Sequence, residues 1–174
     1  FSGDANQMFF SRNDILAEKK KNKKPGVAKN QLFSAQRGIY DWENIQALPF
    51  NDPDYNFMHP ALHPDGSKLY FVSDRPGGFG GYDIYVADNI DGQWMDPINL
   101  GPEINTPGNE VFPFFHPTGV LFFASNGHSG YGGLDLFLID VSQRIWGELI
   151  TMGPPFNSPE DDFGLTVNTT CTQC

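Results

Sequence analysis

Short runs of β-branched, aromatic and aliphatic residues alternate along this chain with clusters of Gly, Pro, Asn and Asp. That is the pattern of strands joined by tight turns. Lys68–Ser73 and Val120–Ser125 predict strands, as do Asp83–Ala87 and Leu134–Asp140. Each pair is preceded by a further strand, around Met58–Leu62 or Phe112–Phe115, and followed by a weaker one after a Trp, Pro97–Leu100 or Glu148–Met152. His63-Pro64-Asp65-Gly66 and His116-Pro117-Thr118-Gly119 predict tight turns, because Pro presets φ and Gly accepts positive φ without steric cost. Only Asp14–Lys24 has a length that suits a helix, and it is too charged to bury a face.

The same pattern is written more than once. Leu69, Ser73, Asp83 and Trp94 reappear 52 residues on as Leu121, Ser125, Asp135 and Trp146. An earlier copy holds Met8-Phe9-Phe10, Leu32-Phe33-Ser34-Ala35 and Trp42, with an insertion spanning 17–27 where the later copies have a Gly-rich turn. Asn51-Asp52-Pro53, Asn105-Thr106-Pro107 and Asn157-Ser158-Pro159 follow the three Trp residues. A fixed period of about 50 residues with four strands per copy is the size of one β-propeller blade. The expected fold is therefore all-β, a β-propeller of four-stranded antiparallel blades. About three blades fall in this chain, as units of roughly 1–56, 57–110 and 111–168, with a tail at 169–174.

The run from Pro60 to Tyr85 resembles the TolB-type, WD-repeat-like β-propeller repeat. The longer pattern is the Gly-rich loop and Asp83, Trp94-x-x-Pro97-x-x-Leu100-Gly101, Ile104-Asn105-Thr106 and Glu110. It is similar to the propeller of multidomain OmpA-family proteins of the Bacteroidota, among them the PorE-like proteins associated with type IX secretion. The resemblance covers about Phe1 to Asn168. It implies a periplasmic, outer-membrane-associated protein with envelope or secretion-system proteins as partners. Peptidoglycan binding in that family belongs to a domain that these residues do not contain. The first copy departs from the pattern by lacking the Gly-rich turn, and Thr118 and Asn126 replace Asp65 and Asp74 of the second copy.

The strands are out of phase with whole blades. Phe1-Ser2-Gly3-Asp4 reads as the turn after a first strand, and Phe163–Asn168 reads as the first strand of another copy. Two explanations stand. The chain is part of a larger propeller, or its last strand completes the first blade and the three-blade unit pairs with a second copy. Either way the strand edges need cover.

Composition narrows the function classes. With 11 Lys and Arg against 21 Asp and Glu, the net charge of −10 repels nucleic acid and anionic membranes. No run approaches the roughly 20 apolar residues of a membrane helix. The basic residues gather at Lys19, Lys20, Lys21, Lys23 and Lys24, within the insertion; their bland reading is a solvated loop. Cys171 and Cys174 form a lone C-x-x-C, half of a zinc site and without the setting of a redox fold.

The conspicuous residues repeat, which favours scaffold over active site. Gly77, Gly78, Gly80 and Gly81 before Asp83 match Gly130, Gly132 and Gly133 before Asp135. A strand, not a helix with a Lys-Ser/Thr start, follows each loop, so they are not phosphate loops. They read as structural turns: glycines allowing positive φ, and an Asp carboxylate accepting backbone N–H groups. Calcium is the alternative ligand, through Asp74, Asp83 and nearby carbonyls; no metal site, cofactor or catalytic residue is predicted. His63 and His116 sit at equivalent turns and are not expected to converge on one metal. Glu110 and Asp162 occupy matching positions and are expected to satisfy the same local backbone groups. Trp42, Trp94 and Trp146 are expected to pack blade on blade.

The resemblance, together with the lack of catalytic motifs, implies a non-enzymatic protein-binding scaffold of the cell envelope. Its partner-binding candidates are the Lys19–Lys24 insertion and the aromatic tips Phe79 and Tyr131. A glycan- or peptidoglycan-binding module is the first alternative and predicts unrepeated exposed aromatics beside acidic residues. A propeller hydrolase is the second and predicts converging carboxylates with shifted pKa values.

Overall fold

The computed structural model describes residues 1–13, 28–142 and 146–167. The insertion lysines and both cysteines lie outside the described residues. Among those described there are twelve strands and no helix, so none is long and apolar enough to cross a membrane. The strands are β1 (Gln7–Asn13), β2 (Asn30–Arg37), β3 (Trp42–Ala47), β4 (Phe57–Leu62), β5 (Lys68–Ser73), β6 (Asp83–Ile90), β7 (Gln93–Trp94), β8 (Ile98–Asn99), β9 (Glu110–His116), β10 (Val120–Ser125), β11 (Asp135–Asp140) and β12 (Ile150–Thr151).

They form three antiparallel sheets. The first has the order β1-β2-β3, the second β4-β5-β6-β7 with β8 also on β6, and the third β12-β11-β10-β9. Each is a meander of consecutive strands, as in a propeller blade. The turns between first and second strands close as the sequence predicts, with Gly66 at φ 76° and Gly119 at φ 92°. Gly66 N–H donates to His63 O at 2.8 Å and Gly119 N–H to His116 O at 3.0 Å. The chain start builds the same turn, Ala5 N–H donating to Ser2 O at 2.8 Å, with Ala5 at φ 56° where the repeats have Gly.

Side chains of a strand alternate between its two faces. On β5, Leu69 and Phe71 enter a core shared with the first sheet, built with Phe9, Leu32 and Tyr85. Tyr70 and Val72 enter a core shared with the third sheet, built with Val111, Phe115 and Leu121. β5 is thus covered on both faces, which is why its apolar run is continuous rather than alternating. Trp94 crosses between sheets, meeting Phe9 edge-on at 5.7 Å between centroids. Trp42 instead packs on Phe1, 5.7 Å away.

The short fourth strands lie where expected, β8 within 97–100 and β12 within 148–152. In the first two sheets the Trp itself also joins the ladder, Trp94 pairing with Asn89 and Trp42 with Arg37. In the second sheet the ladder then breaks at Met95–Pro97, where proline has no N–H to give, and resumes as the two-residue β8. One expected element differs. Residues 163–167 form no ladder with the described residues. They lie instead beside the first strand of the third sheet, Phe163 stacking on Phe112 with centroids 4.9 Å apart.

Candidate partner-binding site

The Gly-rich loops join β5 to β6 and β10 to β11. In the first, the Asp83 carboxylate accepts the Phe79 N–H at 2.6 Å and the Gly80 N–H at 3.2 Å. In the second, Asp135 accepts the Tyr131 N–H at 2.9 Å and the Gly132 N–H at 3.0 Å. Both carboxylates are buried. Each folds its loop back on itself and turns one aromatic side chain outward: Phe79 is 47% exposed and Tyr131 54%.

The glycines are required for a reason other than the one expected. Only Gly77, at φ 89°, has positive φ; Gly78, Gly80, Gly81, Gly130, Gly132 and Gly133 do not. These six are glycine because of what lies against them. A Cβ at Gly80 would fall on the Thr106 and Gly108 carbonyl oxygens, and one at Gly132 on those of Glu160 and Ser158. At Gly81 and Gly133 it would strike the side chains of Asn109 and Asp161. At Gly78 and Gly130 it would strike the loop's own Asp83 and Asp135. The loop after each fourth strand is threaded along the Gly-rich loop at backbone distance.

That threaded loop carries a clamp whose role the sequence reading did not assign. Asn105 accepts the Ile84 N–H at 2.8 Å and donates to the Ile84 carbonyl at 2.9 Å. Asn157 does the same to Leu136 at 2.8 and 3.0 Å, and Asn51 to Leu32 at 3.0 and 2.7 Å. A side-chain amide thus stands in for one residue of a neighbouring strand. The recurrence of Asn before Asp-Pro, Thr-Pro and Ser-Pro was the available signal; its partner, 19 to 21 residues earlier in the same repeat, was not.

The acidic residues are similarly employed. Fully buried Glu110 accepts the Thr106 N–H at 2.8 Å, the Thr106 hydroxyl at 2.6 Å and the Ser125 hydroxyl at 2.6 Å. Asp162 accepts the Ser158 N–H and hydroxyl at 2.6 and 2.9 Å. Asp74 accepts from the Asn56 backbone and side chain at 2.6 and 2.8 Å, with the Lys29 ammonium at 3.3 Å. Asp83 takes a further donor, the Asn99 amide, at 3.0 Å. The two calcium candidates therefore hold different sets of protein donors. No three His, Cys, Asp or Glu side chains converge among the described residues. In the third sheet Thr151 stands where Asn99 stands in the second, and buried Asp135 Oδ1 has no hydrogen-bond partner among the described residues.

The first strands β4 and β9 line an open groove of about 750 Å³ whose walls are largely Pro, Phe and Leu. His59 and Phe112 face it from bulges, at φ 50° and 53°, and Gly164 reaches it at φ 75°. The His59 and Phe112 rings stack at 4.0 Å, and the Phe112 N–H donates to His59 Nδ1 at 3.3 Å. Burial lowers the His59 pKa below its ordinary value.

No family model matches the chain, and no curated protein does. Solved structures do. TolB from Acinetobacter baumannii superposes with a TM-score of 0.55 at 14% identity, over 87% of this chain and 31% of that one. A putative TolB from Agrobacterium tumefaciens gives 0.58 at 17% identity, over 87% of this chain and 46% of that one. The chain therefore spans less than half the length of the structures it matches. The three meandering sheets and these likenesses agree: the chain has a TolB-like β-propeller fold.

Proposed function

We propose that this chain is part of a non-enzymatic protein-binding scaffold of the bacterial cell envelope. It would lie in the periplasm at the outer membrane, in an assembly such as the type IX secretion system. The observation that carries the reading is how the repeats divide their residues. The buried carboxylates Asp83, Glu110 and Asp135 bind the protein's own loops, while the equivalent tips hold Phe79 and Tyr131 out in solvent. A rigid frame presenting aromatic side chains suits protein recognition, in which Tyr and Phe are favoured contact residues. The TolB-like fold supports a periplasmic setting. The OmpA-family and secretion assignments rest on the sequence resemblance alone.

The test is recovery of envelope proteins on the immobilised chain, compared with a Phe79→Ser/Tyr131→Ser variant, beside co-sedimentation with purified peptidoglycan. Specific outer-membrane or secretion proteins that bind the wild type and not the variant are expected, with the chain absent from the peptidoglycan pellet. Sedimentation with peptidoglycan and equal recovery by both forms would overturn the reading in favour of a glycan-binding module.

A further inference from the structure

The first sheet breaks the repeat at the hairpin between β2 and β3. In the second sheet the matching hairpin closes on Asp91-Gly92, at φ 52° and 81°, directly after the pair Ile90↔Gln93. That is the polar, positive-φ pair a two-residue hairpin turn asks for. In the first sheet the last pair is Arg37↔Trp42, and the tip is Gly38-Ile39-Tyr40-Asp41. Ile39 is 87% exposed and Tyr40 99%.

The tip is nonetheless well held. Gly38 N–H donates to the Asp41 carbonyl at 2.8 Å, and the Trp42 N–H to Asp41 Oδ1 at 2.7 Å. A Cβ at Gly38 would strike the Glu43 carboxylate and the Asp41 carbonyl, so the loop closes tightly at its base. The chain's own second sheet shows that this fold needs no apolar tip. A braced backbone presents two large side chains with almost no packing of their own.

We propose that Ile39 and Tyr40 are a docking knob for an apolar pocket with a basic rim on a partner protein. The proposal rests on the scaffold reading and names a surface and a partner chemistry for it. Tyr is enriched at binding hot spots and adds a hydroxyl to its apolar body. Asp41 and Glu43 are exposed beside the knob, and the whole chain carries net charge −10. Complementarity therefore asks for Lys or Arg around the receiving pocket. The same acidity disfavours an anionic lipid surface as the occupant.

The test places the photoreactive residue p-benzoylphenylalanine at Tyr40, Asp91 or Phe79 of the full chain and irradiates each in an envelope extract. The expected result is a defined protein adduct from Tyr40 and none from Asp91. The adduct should map to an apolar pocket bordered by Lys or Arg. With that partner purified, the Ile39→Asp/Tyr40→Gly variant, which writes the second sheet's tip into the first, should bind at least tenfold more weakly at an unchanged melting temperature. Equal adducts from Tyr40 and Asp91, adducts to lipid or to a second copy of the chain, or unchanged affinity would overturn the knob. Adducts from Phe79 alone would overturn it and leave the scaffold standing. No adduct at any position would overturn both.

Discussion

Asn105→Ala tests the account of how the repeat holds together. Asn105 is 1% exposed, and Ile84, which it clamps, is fully buried. Its amide satisfies the Ile84 N–H and carbonyl and also donates to Asn99 Oδ1 at 2.8 Å. Alanine removes all three bonds and supplies no substitute. A buried polar group left without a partner costs about 1–3 kcal/mol. Asn99 retains its bonds to Asp83 and to the Gly101 N–H, and the Ile84 carbonyl still accepts the Leu100 N–H at 3.1 Å, so the Ile84 N–H sets the scale. The expected loss is then about 1–3 kcal/mol, toward the lower end if water enters the space the amide leaves. That is a sizeable part of the roughly 5–15 kcal/mol that holds a domain folded. Urea denaturation followed by Trp fluorescence reads the total. Hydrogen exchange at the Ile84 amide reads the cause, since that proton should lose protection more than its ladder neighbours on β6. A loss below about 1 kcal/mol with Ile84 still protected would show that the amide is incidental and the strands hold the position unaided.

Four further substitutions probe separate links. Gly77→Ala and Gly80→Ala should rank opposite to their φ values: Gly77, at φ 89° with open space around it, should lose about 1 kcal/mol, whereas Gly80, facing the Thr106 and Gly108 carbonyls, should lose about 2–3 kcal/mol. Thermal melts of the pair decide, and equal losses would refute the close-approach argument. The lowered His59 pKa means that the folded state binds its proton less readily than the unfolded chain does, so the stability it contributes is present above pH 6.5 and declines as pH falls below that value. His59→Phe keeps a ring on Phe112 and should flatten melting temperature against pH in that window; an unaltered slope relative to wild type would remove His59 from the account. Thr151→Asn copies Asn99 onto the third sheet and gives Asp135 Oδ1 its missing donor, so denaturation should show a gain of about 1 kcal/mol; a loss would mean that the Thr151–Asn157 bond, at 3.0 Å, matters more.

The strands were legible in the sequence because their signal is local. Leu69–Val72 and Leu121–Ala124 are continuous apolar runs, as strands buried on both faces must be. The weaker fourth strand was legible too, as β8 and β12 within 97–100 and 148–152, but not that Trp94 would join the ladder in addition to packing. What the loops do was only half legible. That an Asp would gather backbone N–H groups is short-range chemistry, three or four residues along the chain. That Gly80 is small to admit Thr106 and Gly108 is not, since the contact joins two loops of one repeat that strands β6 to β8 separate. The Asn105 clamp was hidden for the same reason. The Ile39–Tyr40 tip escaped because two apolar residues beside a strand read as more strand, and only the ladder shows that pairing stops at Arg37 and Trp42.

Because the copies share their hydrogen bonds, differences between them separate scaffold from specialisation. Asn51, Asn105 and Asn157 do one job three times, and changing any of them should alter stability. The bulge in the first strand behaves differently. Gly164 meets its left-handed backbone without strain, but His59 and Phe112 hold the same conformation with bulky side chains, where such strain costs on the order of 1–3 kcal/mol. Folding alone would favour glycine at all three. The rings recover part of that cost by stacking at 4.0 Å, since aromatic pairs contribute about 0.5–1.5 kcal/mol beyond their burial. The balance is still unfavourable. The groove and the Ile39–Tyr40 tip are therefore alike in kind: at each, bulky side chains stand where the matching position elsewhere in the chain, Gly164 or Asp91-Gly92, holds cheaper residues in a positive-φ backbone.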